Sequence, residues 1–374
     1  MNFRNWKRPL LGLFVTIVVA ILGLNAWSLF FLRSDLKPKR IPNITQPLGR
    51  EIQNPYLKST RMKWIKTAIH LHSNRAWFTP IRNSPEEIQE VYSKNGYRIL
   101  AFTDYESVTR IESNKTAQVP GYEWGRNLVK RHLTVLGLED ADHDFFPLFA
   151  FPENIQWEID SLQKKGAFVA INHPLLNDSF PLKVLERLSG YNAIEVLSPF
   201  GDIFAYWDQL LSSGVSSFCM AGDDLHYLPK EEYLKVAKTG FPSFRQIATE
   251  WYDEDGESLM RYILLNTDSL EKEDILAALK NGNYACVRKM SRVLSDPKVK
   301  AFGIRNGDEV FYEFDETPLT VDFIGRNGET LSRSYGQKKG TYRFRPGDLY
   351  VRIQAFLPTG LILSNPFYRK QIPN

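Results

Sequence analysis

Lys66-Thr67-Ala68-Ile69-His70-Leu71-His72 alternates in polarity, and two further signals follow it: Ser84-Pro85-Glu86-Glu87, then Arg98-Ile99-Leu100-Ala101-Phe102-Thr103-Asp104. The first stretch predicts a strand on which His70 and His72, two residues apart, share a face. In the second, Ser84 is an N-cap, Pro85 suits the first helical turn and Glu87 completes a capping box. Ile88, Val91 and Tyr92 then supply the apolar stripe, and Gly96 the stop. The third is a short apolar strand ending in Asp104. Together they make one βαβ unit with polar residues at both strand ends, which places the chain in the α/β class.

The same rhythm continues outward. Helix 155–165 stops at Gly166 and leads to strand 167–171 and Asn172-His173-Pro174. Helix 182–188 stops at Gly190 before strand 193–197. Helix 204–211 stops at Gly214 before strand 215–220 and Gly222-Asp223-Asp224. Alternation of this kind predicts a parallel sheet, open or closed into a barrel. A further helix, 271–280, leads to Tyr284-Ala285-Cys286. From about residue 298 the pattern changes to short alternating runs, 320–324, 341–344 and 349–355. Asn306-Gly307 and Asn327-Gly328 punctuate them, as in a small antiparallel β domain.

The 374 residues, 43% of them hydrophobic, suffice for one large core and a smaller second one. The expected organisation is an anchor at 1–32, a polar linker at 33–62, a catalytic-type unit at 63–297 and the β domain at 298–374. Pro9 to Leu32 holds no charged residue and is long enough to cross a bilayer. It is longer than a signal-peptide core, and Asn25-Ala26-Trp27-Ser28 is a poor cleavage site, so an uncleaved single-pass anchor is predicted. Arg4, Lys7 and Arg8 before it favour an inside N-terminus and an extracytoplasmic body, although Arg33, Lys37, Lys39 and Arg40 weaken the asymmetry. Net charge is +4, but residues 1–40 carry a surplus of six positive charges, which leaves the remainder at −2. Such a body offers no evident nucleic-acid-binding surface. The only cysteines, Cys219 and Cys286, read as two inert core thiols in preference to one buried disulfide. Nothing in the sequence specifies an oligomeric state.

Five of the six histidines fall in four islands: His70-Leu71-His72, His132, His173-Pro174 and Asp224-Leu225-His226. Imidazoles and carboxylates at the ends of successive strands can meet in one metal pocket. Each island alone has a bland reading, such as a turn, a core imidazole or a loop acid. Their joint order is what carries information.

Residues 66–290 resemble the PHP (polymerase and histidinol phosphatase) superfamily of metal-dependent phosphoesterases. The resemblance rests on His70 and His72, Thr103-Asp104-Tyr105, the turn Pro120-Gly121-Tyr122-Glu123, His132 before an apolar strand, His173-Pro174, and Asp224-Leu225-His226. It implies a distorted, TIM-like (β/α)7 barrel. It further implies that His70, His72, Glu123 and Asp224 hold one divalent metal and that His132 and His173 hold a second, with Glu123 bridging. The family's third metal would need a ligand where Trp77 and Phe78 stand and a histidine where Tyr105 stands. The expectation is therefore two ions, of Zn, Mn or Fe, and a two-metal-activated hydroxide acting on a phosphate ester.

In that reading Asp104 orients a ligand histidine and His226, freed from a third metal, is the general acid. Tyr105 either binds phosphate or fills the vacated metal site. Arg75, Lys130, Arg131 and Arg288 are candidate anion contacts. Glu195 reads as structural or as supporting a ligand, Asp223 as a helper or a turn acid, and His143 as part of an exposed polar loop. The substrate class is a phosphorylated small molecule or envelope polymer. The alternative is a non-catalytic cell-envelope binding or scaffold protein on a degenerate PHP barrel.

Overall fold

The computed structural model describes residues 7–31, 48–56, 63–75, 83–112, 114–146, 148, 150–228 and 258–371. Trp77 and Phe78 lie outside the described residues, as does much of the expected linker. Helix α1 (Lys7–Phe31) contains a segment, Pro9–Trp27, with mean hydropathy 2.3, long and apolar enough to span a membrane.

The opening βαβ unit forms as its residues dictate. Strand β2 (Trp64–Leu71) follows β1 (Leu48–Gln53), and α2 (Pro85–Lys94) leads into β3 (Ile99–Phe102), which lies parallel to β2. At the start of α2 the Ser84 hydroxyl accepts from the Glu87 N–H, and the Glu87 carboxylate accepts from the Ser84 N–H. Both orphan donors of the first turn are thereby satisfied. Gly96 ends the helix at φ 83°, a left-handed conformation that favours glycine.

Next come β4 (Ala117–Gln118), β5 (Gly121–Trp124) and β6 (Leu133–Leu136). Then α3 (Pro152–Lys164), β7 (Phe168–Ile171), α4 (Leu182–Leu185), β8 (Ala193–Leu197), α5 (Phe204–Ser212) and β9 (Phe218–Ala221) follow in alternation. Strands β5 to β9 form one five-stranded sheet in chain order. It is not uniformly parallel: β6 runs antiparallel to both neighbours, while β7, β8 and β9 are parallel. The eight-residue connection from β5 to β6 has no crossover helix, and so short a link allows only an antiparallel return. The Pro120-Gly121-Tyr122-Glu123 segment, expected as a turn, opens into β5. Among the described residues the regular alternation expected of a (β/α)7 barrel is interrupted between β5 and β6, and they form a mixed α/β fold with a curled, half-barrel sheet. Two isolated parallel bridges, Leu71 with Leu225 and Tyr105 with Glu123, tie the ends of this sheet to β2 and to the segment after β3.

The remaining strands are β10 (Arg261–Asn266), β11 (Tyr284–Lys289), β12 (Val299–Arg305), β13 (Glu309–Phe314), β14 (Thr320–Ile324), β15 (Thr330–Tyr335), β16 (Lys339–Arg343), β17 (Tyr350–Leu357), β18 (Gly360–Ser364) and β19 (Phe367–Gln371). Helix α6 (Lys272–Lys280) joins β10 to β11. The antiparallel pattern read beyond residue 298 is present, but only part of it makes a separate sheet. Strand β18 pairs with β11, β11 with β10 and β10 with β2, so the C-terminal strands extend the sheet that carries His70. Among the C-terminal strands, β12, β13 and β16 form a sheet of their own. Leu48–Gln53, read as linker, is a strand paired with β19. Its partner lies over three hundred residues away, so local periodicity had nothing to show.

One buried cluster packs the five-stranded sheet against its helices; a second joins β2 and β3 to aromatic residues of the C-terminal strands, including Phe302, Tyr312 and Phe323. Cys219 on β9 and Cys286 on β11 form a disulfide, with Cα atoms 6.3 Å apart. This corrects the expectation of two free thiols. The contact between those strands exists only in the folded chain.

Candidate metal centre

The six side chains expected to ligate metal come together at the ends of the strands. His70 and His72 leave the end of β2, Glu123 lies within β5, and His132 immediately precedes β6. His173 follows β7 by one residue, and Asp224 follows β9. All six are buried. Ligand-type atoms of His70, His72, Glu123 and Asp224 lie within 4.8 Å of one another, as do those of Glu123, His132 and His173. Glu123 is common to both groups.

His72 Nε2 stands 2.9 Å from Asp224 Oδ1 and 3.2 Å from Glu123 Oε2; His70 Nε2 is 3.2 Å from the same Asp224 oxygen. The other Glu123 oxygen, Oε1, is 3.1 Å from His132 Nδ1 and 3.2 Å from His173 Nε2. Electrostatics follow from the burial of these charges together. Burial opposes the His72 imidazolium, but the Asp224 and Glu123 carboxylates outweigh it and push the group up to about 9. Burial likewise opposes the His70 and His173 cations, and the same acids raise both. For His132 burial prevails, and the ring is held below its ordinary value. Glu123 and Asp224 resist the upward push of burial and are driven well below the carboxylate range by the imidazoles around them.

Four of these atoms, His70 Nε2, His72 Nε2, Glu123 Oε2 and Asp224 Oδ1, are buried and have no hydrogen-bond partner of acceptable geometry. Buried polar atoms are nearly always hydrogen-bonded, and four that are not, gathered within 4.8 Å of one another, suit a shared cation. Two imidazoles and two carboxylates are a donor set suited to a divalent transition metal. The residues present fit the group that the sequence motifs imply.

The backbone is bent to bring two ligands in. His173 has φ 28° and Asp224 φ 48°, in the left-handed region that non-glycine residues rarely enter. Glu195, on β8, holds this arrangement. Its Oε1 lies 3.2 Å from His70 Nδ1, and its Oε2 accepts from the His173 main-chain N–H at 2.6 Å. With its Nδ1 proton on Glu195, His70 turns the Nε2 lone pair inward. Gly222 leaves the room this requires: a Cβ there would lie 2.6 Å from Glu195 Oε1 and 2.8 Å from His70 Cβ. Asn172 was not singled out from the sequence, yet its amide donates to Glu123 Oε1 at 2.7 Å and its carbonyl oxygen accepts from the Thr134 N–H. Its place immediately before His173-Pro174, at a strand end, was the available signal.

Other expected residues are placed differently. Asp104 touches no ligand histidine among the described hydrogen bonds. It accepts from the Ser73 N–H and hydroxyl, each at 2.6 Å, and from the Thr109 hydroxyl. The orienting part expected of Asp104 is thus taken by Glu195, and Asp104 secures the turn after His72. Asp223 accepts from the N–H groups of Leu259, Met260 and Arg261 and from the Tyr92 hydroxyl, which seats the start of β10.

Arg131 is spent on the carbonyls of Ser179 and Ala150, Arg75 on Glu86 and the Arg110 carbonyl, and Arg288 on Asp202. Lys130 is exposed on the β5–β6 connection. None of these four contacts the six clustered side chains through a described hydrogen bond or ion pair, so the expectation of anion contacts gains no geometry. His143 bonds Glu106, away from the centre. Tyr105 does reach it: its ring stacks on His72, centroids 4.6 Å apart and planes 20° apart. His226 lies beside the same imidazole, 4.8 Å between centroids, with Nδ1 2.7 Å from the Asp224 carbonyl oxygen. Since a carbonyl only accepts, that nitrogen carries the proton and Nε2 is the one left for exchange. Burial lowers the His226 imidazolium below its ordinary value.

No protein-family model and no curated protein matches the chain. Among solved structures it is similar to a two-domain protein containing a predicted PHP-like metal-dependent phosphoesterase from Bacteroides vulgatus ATCC 8482. That match has 13% identity and a TM-score of 0.39, covering 86% of this chain and 91% of that one. It is also similar to Endonuclease Q in complex with a 27-mer duplex bearing an abasic lesion, at 11% identity and a TM-score of 0.35, over 59% of this chain and 58% of that one.

Proposed function

We propose that this chain is a membrane-anchored, metal-dependent phosphoesterase of the PHP type. The observation that carries the reading is the set of four buried ligand atoms without a hydrogen bond, from His70, His72, Glu123 and Asp224, which come together from three distant parts of the chain. These residues would hold one divalent cation, and Glu123, His132 and His173 a second, with Zn, Mn or Fe all compatible. When bound, such a pair supplies a water acidified to near neutrality and positive charge on the phosphoryl oxygens.

The chain's own residues do the rest. Glu195 and Asn172 fix the orientation of His70, His173 and Glu123, so that the ligands are in place before substrate arrives. His226, its Nδ1 proton anchored on the Asp224 carbonyl, presents Nε2 to hold and deliver a proton to the departing alcohol oxygen. Tyr105 covers the face of His72 and stands where a third cation would need a histidine, which supports a count of two. The Cys219–Cys286 disulfide supports a body on the oxidising side of the membrane, with α1 as the anchor. The substrate class we propose is a phosphorylated small molecule or envelope polymer.

The test uses the full chain in detergent, loaded with Zn or Mn. Two tightly bound ions per chain are expected, with chelator-sensitive hydrolysis of p-nitrophenyl phosphate or its diester. His70→Ala combined with His72→Ala should lower the rate by at least about a hundredfold. Tight metal binding without hydrolysis across mono- and diesters would instead favour the non-catalytic envelope-binding alternative. For His226, alanine substitution should slow esters with poor leaving groups more than those with good ones. An equal loss on both would remove its general-acid role.

A further inference from the structure

On one side of the candidate metal centre the surface turns apolar. Phe200 stands edge-on to the His173 ring, centroids 5.6 Å apart with planes at 81°. Phe200 is nevertheless 42% exposed, and Leu175, two residues after His173, is 37% exposed. The ligand-bearing elements themselves deliver both: Leu175 continues from β7 through His173-Pro174, and Phe200 lies on the turn after β8, the strand that carries Glu195. That turn is a built feature. The Gly201 N–H donates to the Ser198 carbonyl, and Asp202 pairs with Arg288 at 3.0 Å. Gly201, at φ 125°, passes so close to Leu175 that a Cβ would lie 2.9 Å from its Cδ1. The two connections therefore form one wall, continuous with His173. Beside His72 the neighbours are instead His226 and Tyr105, and His226 is partly exposed and polar.

Exposed apolar area is unfavourable in proportion to its extent, and a molecule seated over His173 covers this wall. We infer that Phe200 and Leu175 form a subsite for an aryl or alkyl group of the substrate, the apolar part of an ester whose phosphoryl group lies at the metal centre. This inference rests on the phosphoesterase reading and narrows its substrates from fully polar phosphates to amphiphilic ones. Covering one ring face at such a wall corresponds to about a tenfold preference over a methyl group.

Two readouts on the metal-loaded full chain in detergent test it: calorimetric binding of phenylphosphonate against methylphosphonate, and kcat/KM for 3-phenylpropyl phosphate against propyl phosphate, whose leaving alcohols are alike. The wild-type chain should prefer the aryl member of each pair by about tenfold. Phe200→Ala should bring that preference close to unity while leaving methylphosphonate affinity and metal content unchanged; Phe200→Leu, which keeps an apolar side chain, should retain part of it. Equal binding of both phosphonates, no binding of either, or an undiminished preference in Phe200→Ala would each overturn the inference. Aryl-selective binding without turnover of any ester would sink the hydrolase reading and leave the subsite standing. Turnover without aryl preference would do the reverse.

Discussion

Replacing Glu195 by glutamine probes how the metal ligands are held. The native carboxylate is buried and accepts at both oxygens, from His70 Nδ1 at 3.2 Å and from the His173 main-chain N–H at 2.6 Å. An ionised carboxylate can do this because it is acceptor-only, whereas an amide offers one acceptor and one donor group. If the Gln carbonyl faces the His173 N–H, its amide faces His70 Nδ1. That nitrogen must then give up its proton and pass it to Nε2, the atom that would ligate. If the amide is turned over, its N–H groups confront the buried His173 N–H. An unsatisfied buried donor costs about 1–3 kcal/mol, and an inverted tautomer removes one ligand from the metal-ready state.

At roughly 1.4 kcal/mol per decade, Glu195→Gln should weaken metal binding by about 10–100-fold. The assay is competition for Zn or Mn against a chromophoric chelator, with far-UV circular dichroism to show that the variant is folded. A folded Glu195→Gln that binds metal within about twofold of the parent would refute the argument that this residue sets the His70 tautomer.

Three further outcomes are expected. Because His72 is lifted to about 9 in the metal-free state, its stabilising contribution is complete below its unfolded value of 6.5 and is lost as pH rises through about 9. Metal uptake at pH 7.5 must therefore expel protons, so the calorimetric heat should depend on the ionisation enthalpy of the buffer; a buffer-independent heat contradicts the assignment. The Cys219–Cys286 bridge closes a separation of 67 residues, so Cys219→Ala with Cys286→Ala should reduce stability by about 4 kcal/mol in urea unfolding. Full alkylation of both thiols in unreduced, denatured protein would show that the bridge is absent. Gly222→Ala forces a methyl group to within 2.6 Å of Glu195 Oε1 and should destabilise by about 1–3 kcal/mol while weakening metal binding. Parent-like urea and metal titrations would mean that the site yields more readily than its packing implies.

What could be read without coordinates was local or ordered along the chain. The capping box at Ser84 and Glu87, strands 193–197 and 320–324, and the turn glycines all depend on neighbours within a few residues. The six candidate ligands were legible through the ordered motifs that resemble the PHP superfamily, and the strand–helix rhythm put most of them near strand ends. The supporting contacts were not legible. His70 meets Glu195 across 125 residues, Asn172 meets Glu123 across 49, and Cys219 meets Cys286 across 67. Asp104 and Glu195 are both acids at strand positions, and only the stacking of β2 beside β3 and β8 beside β9 decides which one faces a ligand imidazole. The same holds for the C-terminal strands, whose alternation is identical in a separate sheet and in one that continues through β11 to β2. Periodicity reports the backbone conformation of each segment, whereas sheet order and register, set by burial of both faces together, determine which segments meet.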